Sequence, residues 1–136
     1  MRKYFIILGS IQIFIALGAI PAGIGFLSDT SGAAMGNSVD MLANSPLRSF
    51  LIPALFLLIV HGLGNVTGAI LSFRKKSFSG LAGFSLGVIL MLWIIIQVLW
   101  IGLSSFMQPL FFFIGIIEAL LGWIILMNHI RSHPVE

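Results

Sequence analysis

Two ionisable side chains fall deep inside long apolar runs of this chain, His61 and Glu118. A histidine and a glutamate at one depth can share a proton or close a hydrogen bond. They can equally act as a polar lock that fixes how helices register, as a buried asparagine does in a coiled coil. The sharper alternative is a proton or ligand site, because ionisable groups inside a membrane are functional candidates by default. Three further polar residues, Gln12, Asn65 and Gln97, lie inside the same kind of run. Together the five make a candidate proton or ligand seam.

The runs that must position them are four, at about 4–27, 50–72, 80–105 and 109–127. Each reaches the ~20 residues that cross a ~30 Å hydrocarbon layer as a helix. Only 8% of the 136 residues are charged and 59% are hydrophobic, with a mean hydropathy of +1.14. Soluble domains carry about 25% charged residues, so lipid must be the solvent for most of this surface. The expected fold is all-α: one integral membrane domain over 1–136, a bundle of four antiparallel transmembrane helices.

Charge distribution sets the expected orientation. Of seven basic residues, six (Arg2, Lys3, Arg74, Lys75, Lys76, Arg131) flank the ends on one side, and only Arg48 falls on the other, with Asp29 and Asp40. The positive-inside rule then places both termini and the 74–79 turn in the cytoplasm. These cations read as topology signals. Nucleic acid is not an expected partner, and three clustered cations fall short of the ~4–8 of a lipid-headgroup site. With no cysteine, disulfides, thiolate chemistry and Cys-based metal sites are excluded. Met1-Arg2-Lys3 resembles the start of a signal peptide, but the apolar run that follows is too long for an ordinary h-region. We read it as a retained first span.

Short turns at 74–79 and about 104–108 predict neighbouring pairs for spans two and three, and three and four. The 28–49 loop is long, and loops of that length are usually functional or mobile. Its Val39–Asn44 stretch suggests a short interfacial helix. Pro53 precedes His61 by eight positions and Pro109 precedes Glu118 by nine, an echo that either duplication or chance produces.

At ~100° per residue, each span carries one stripe of small residues with a polar one among them. The stripes are Gly9, Gln12, Ala16, Ala19, Gly23; His61, Gly64, Asn65, Gly68, Ser72; Gly83 and Gly87 near Gln97; and Gly115, Glu118, Gly122, His129. Small residues let helices approach and polar groups bond across them, so these faces should turn inward. From the ~1.5 Å rise per residue, His61 and Glu118 should share a layer. Gln97 should lie to its outer side, and Asn65 and Gln12 to its inner side.

Other candidates carry less. His129 and His133 have metal-pair spacing, but Pro134 and Glu136 give them a poor setting, and no metal site is expected. Haem would want two facing ligands; His61 has no histidine partner at its depth, and Met91 fits packing better. No cofactor is expected. Trp93, Gln97 and Trp100 share a face that suits an aromatic packing ridge better than a ligand cage.

Residues 45–122 resemble a set of small bacterial four-span integral membrane proteins. The likeness rests on Ser45-Pro46, Phe50-Leu51-Ile52-Pro53, Gly62, Arg74-Lys75-Lys76, Gly87-Val88-Ile89-Leu90, Trp93-Ile94-Ile95-Ile96-Gln97, Ile101-Gly102, Gln108-Pro109-Leu110 and Gly115. It departs where such proteins often show an acid, a glycine and a glutamate, here Ser49, Ala54 and Gln97. The resemblance implies a multi-pass protein of the bacterial plasma membrane and no particular mechanism.

Three functions fit. The first is a non-enzymatic accessory or lipid- or small-ligand-binding protein, contacting lipids or another membrane protein. The second is a homodimeric proton-coupled transporter using Glu118. The third is a membrane enzyme acting on lipid, which would lack clustered acids, histidines or arginines. No catalytic residue is assigned.

Overall fold

Four helices, each long and apolar enough to cross a membrane, make up most of the chain: span one Arg2–Ser28, span two Leu51–Phe73, span three Phe78–Ile101 and span four Met107–Ser132. The computed structural model describes residues 2–103 and 105–132. His133, Pro134 and Glu136 lie outside the described residues, so the His129–His133 spacing has no structural counterpart here. Span three ends at Ile101 rather than 105, because Gly102 turns the chain with φ +77°. Span four continues past 127 to Ser132; hydrogen bonding along a helix does not stop where the apolar run does, and Arg131 suits its C-terminal dipole.

Span two is not one regular helix. Leu51–Phe56 and Gly64–Phe73 are α-helical, but Leu57–Leu63 is a π-helix. The Gly64 N–H bonds to Ile59 O, five residues back. Such bulges widen a turn, add a residue to it and recur at functional sites. His61 lies inside it.

Spans three and four are packed backbone to backbone. A Cβ built on Gly80 would meet Leu126 N at 2.6 Å, and one on Gly87 would meet Ala119 N at 2.5 Å and Gly115 O at 2.6 Å. Gly83 also faces Leu8, whose δ-carbons would lie 2.8 Å and 3.1 Å from an added Cβ. Span one contacts the other three helices. Two small apolar clusters fill the interior, one of Leu8, Leu121 and Ile125, the other of Ile15, Leu90 and Ile94. Side chains pointing away from them are large and apolar, Leu17, Leu99 and Phe113 among them. Lipid rather than water suits that surface.

Span two closes with a left-handed residue. Lys75 has φ 54°, and the Lys76 N–H reaches Leu71 O at 2.9 Å while the Lys75 N–H reaches Ser72 O at 3.0 Å. That is a Schellman cap with lysine where glycine is usual.

The loop between spans one and two is folded back on itself. Phe50 N–H donates to Thr30 O at 2.8 Å, and the Phe26 and Phe50 rings stack at 4.9 Å. Asp29 ties the first turn by accepting from the Ser31 hydroxyl at 2.6 Å, Ser31 N–H at 3.1 Å and Ala34 N–H at 3.1 Å. Those three bonds hold its carboxyl below the ordinary value of 3.8. The Val39–Asn44 stretch forms a single 3₁₀ turn, Val39–Leu42, with the Ser38 hydroxyl accepting from Asp40 N–H. It is shorter than the helix expected there. Leu42 is buried.

Candidate functional site

The small-and-polar stripes turn inward. In span one all five positions, Gly9, Gln12, Ala16, Ala19 and Gly23, are buried. In span two His61, Asn65, Gly68 and Ser72 are buried, and in span four Gly115, Glu118 and Gly122. Gly83 and Gly87 are buried while Gln97 is half-buried. His129 is half-buried near the end of span four.

The polar groups do not form one continuous seam. They divide into two clusters. The deeper one is Gln12, Ser72 and Glu118. Ser72 Oγ donates to Gln12 Oε1 at 2.8 Å and lies 2.9 Å from Gly68 O. The Gln12 amide faces the Glu118 carboxyl, but the gap stays open, since neither Gln12 Nε2 nor either carboxyl oxygen has a partner within hydrogen-bond distance. Asn65 Nδ2 donates to His61 O at 2.9 Å, one turn back, while its buried Oδ1 has no partner.

The direct His61–Glu118 bond expected from their depths is not formed. Glu118 is 0% exposed and His61 1% exposed, and both ring nitrogens and both carboxyl oxygens lack partners. Projection at a constant 100° per residue assumed an unbroken α-helix. The π-helical Leu57–Leu63 breaks that premise and re-aims His61. The imidazole instead packs edge-on to Phe56, with ring centroids 5.1 Å apart, and 6.4 Å from Trp93. Phe56 and Trp93 stack at 4.6 Å, so Phe56 braces both rings.

The second cluster lies on the wall of a cavity. A half-open cavity of about 570 Å³ lies between the four spans and the folded loop, well within the range of small-ligand pockets. Its polar lining residues are Asn37, His61, Trp93, Trp100, Gln97, Ser105 and Gln108; Met35, Met41, Leu42 and Leu47 line it from the loop. Trp93 Nε1 is buried and unpartnered, like the His61 nitrogens. Buried polar atoms are nearly always bonded, so these three nitrogens beside the cavity are exceptions. Glu118 does not line this space.

Two wall features were not anticipated. Gln108 is buried and donates to Gln97 Oε1 at 3.4 Å and to Gly102 O at 3.3 Å, and its Oε1 accepts from Ser105 N–H at 3.3 Å. Its place beside Pro109, at the opposite end of the short turn from Gln97, was the available signal. The Trp93–Gln97–Trp100 face, expected as a packing ridge, does pack through Trp93 on Phe56, but all three residues also face the cavity. Among the described residues, no group of three His, Cys, Asp or Glu stands close enough to hold a metal ion.

Comparison with known proteins finds no matching family model, no similar curated protein and no similar solved structure.

Proposed function

We propose that this chain is a multi-pass protein of the bacterial plasma membrane that binds a small lipophilic molecule in the cavity beneath its loop, and acts through binding rather than catalysis. The observation that carries the reading is the cavity itself: about 570 Å³, largely apolar, with His61, Trp93, Gln97 and Gln108 among the residues that line it. Apolar pockets with a few convergent polar groups are the usual form of a small-molecule site. The homodimeric transporter reading draws on Glu118, a buried carboxyl without a partner. It is disfavoured because the cavity wall includes His61 but not Glu118.

The proposed arrangement is up-and-down with both termini in the cytoplasm. The pairing of Gly80 with Leu126 and of Gly87 with Ala119 supports antiparallel spans three and four, and the six-to-one basic asymmetry supports the orientation. The loop and the cavity then sit at the outer face. The absence of native cysteine makes the test simple. In intact cells an impermeant maleimide should label Asp40→Cys and spare Lys75→Cys until the membrane is opened; the reverse pattern would refute the orientation.

Native mass spectrometry of protein extracted gently from its own membranes tests the binding. Wild type should retain a small lipophilic adduct. Ala22→Phe, which puts a ring into the cavity, should lose it. A bare wild-type mass, or equal adducts in both, would overturn the reading.

A further inference from the structure

We propose that Glu118 is a proton-binding site in the membrane interior: its carboxyl is held as the neutral acid and donates its O–H to the Gln12 side chain. Glu118 does not line the cavity, so the inference stands apart from the ligand-binding reading.

The first observation is isolation. Glu118 and Gln12 are both 0% exposed, and neither carboxyl oxygen has a partner. Among the described residues no cation lies against the pair. Along span one, Lys3 and Tyr4 are eight or more residues from Gln12; along span four, His129 and Arg131 are eleven or more from Glu118. Each is at least ~12 Å away along the helix axis. Arg74, Lys75 and Lys76 follow Ser72 but are exposed. Span three meets span four on either side of Glu118 with Gly83 and Gly87. In span two, Gly62 beside His61 meets Ile20, whereas Gly68 meets Gln12. The eight residues from Gln12 to Ile20 put ~12 Å between those layers. An ionised carboxylate taken out of water without a charged partner costs far more than a neutral acid.

The second observation is a shortage of hydrogens. Ser72 Oγ carries one, yet it lies 2.8 Å from the Gln12 side-chain oxygen and 2.9 Å from Gly68 O. Gln12 Nε2 meanwhile has no acceptor. The oxygen and nitrogen of an amide end have the same shape, so hydrogen bonds decide which is which. Turned over, the Gln12 amide closes a chain in which each donor has one acceptor. Glu118 O–H points to Gln12 Oε1, Gln12 Nε2 to Ser72 Oγ, and Ser72 O–H to Gly68 O. That chain requires a proton on Glu118. In the opposite sense, Gln12 Nε2 donates to a carboxylate and Ser72 donates to Gln12 Oε1. The same residues serve either state, so the bound proton can exchange.

The third observation is fit. A Cβ on Gly68 would lie 2.6 Å from Gln12 Nε2 and 3.1 Å from its Cδ. The glycine leaves the space that the amide fills. The chain of bonds then ties span four to span one, and span one to span two.

Infrared spectra of the full chain in alkyl maltoside, a detergent without a carbonyl, test the proposal. At neutral pH wild type should show a carboxylic-acid C=O band that is lost in Glu118→Gln and moves down in D2O as the proton exchanges. Gln12→Leu should move the band to higher frequency, because the acid loses its acceptor. Ser72→Ala should move it the same way by less, and His61→Leu should leave it in place. If Gln12→Leu fails to fold by circular dichroism, Ser72→Ala carries the test. Absence of a Glu118-dependent acid band would overturn the proposal, as would a band unmoved in D2O or unmoved by the Gln12 and Ser72 variants. If His61→Leu shifts the band as much as Gln12→Leu does, the acid is bonded to histidine and the Gln12 assignment fails.

Discussion

Gly87→Ala should cost more stability than any other single-methyl addition inside the bundle except those at Gly80 and Gly122, in the same pair of helices. The added carbon would sit 2.5 Å from Ala119 N, 2.6 Å from Gly115 O and 2.8 Å from Ala119 Cβ. Carbon makes its best contact at ~3.5–4.0 Å, so spans three and four must part by about 1 Å. Two of the three atoms belong to the backbone of span four, and no rotamer change can relieve them. A gap of ~1 Å forfeits a quarter to a half of the dispersion energy of the atoms that lose contact, and spans three and four meet along an extensive line. Overpacking typically costs ~1–3 kcal/mol; with rigid backbone on both sides we place Gly87→Ala at about 3 kcal/mol, over a hundredfold in the folding equilibrium. Gly18→Ala is the internal control. Its nearest neighbour is the end of the Phe111 ring at 3.2 Å, which can swing into the cavity, so the cost should stay below ~1 kcal/mol. Unfolding in mixed micelles of rising SDS fraction, followed by circular dichroism, measures both. Equal midpoints for the two variants would refute the backbone-contact reasoning.

Glu118→Gln keeps the side-chain shape and removes the ionisable proton, so it should fold as wild type, within ~1 kcal/mol in the same SDS unfolding. It should also leave occupancy of the cavity unchanged by native mass spectrometry, because Glu118 is not on the wall. Lys75→Gly should raise stability by ~1 kcal/mol, since a left-handed φ of 54° costs a side chain about that much; a loss of stability would remove the Schellman reading. Asp29 carries the pH dependence of the loop. Its carboxyl is lowered from 3.8 by the Ser31 and Ala34 bonds, so its contribution is intact above the ordinary carboxylate value and is lost as pH falls through the depressed folded value. Amide exchange at Ser31 and Ala34 should speed up at pH below about 3.8 relative to its trend above, and Asp29→Asn should abolish that change.

The inward faces were legible because membrane helices advertise them: small and polar residues have little reason to share a stripe unless helices meet there. Every member of the span-one stripe from Gly9 to Gly23 is buried for that reason. The depth of each residue was legible only as far as the helix stayed regular. His61 escaped its expected partner because Leu57–Leu63 is π-helical, and a single inserted residue per turn leaves little trace in an apolar sequence. Glu118 instead faces Gln12, a pairing between spans one and four that rotation about each helix axis decides and that one-dimensional depth arithmetic does not resolve. The cavity was not legible at all. It depends on Thr30 and Phe50 closing the loop and on the lateral spacing of four helices. Both arise from contacts far apart in sequence.

The central claim is that the space between His61, Trp93 and Gln97 is a ligand site. An experimental density map of the protein purified from its own membranes, at a resolution that shows side chains, tests it most directly. The account predicts a continuous feature larger than water in the cavity lined by Trp93 and Gln97. A cavity filled by loop side chains, or holding only separate waters, would contradict it.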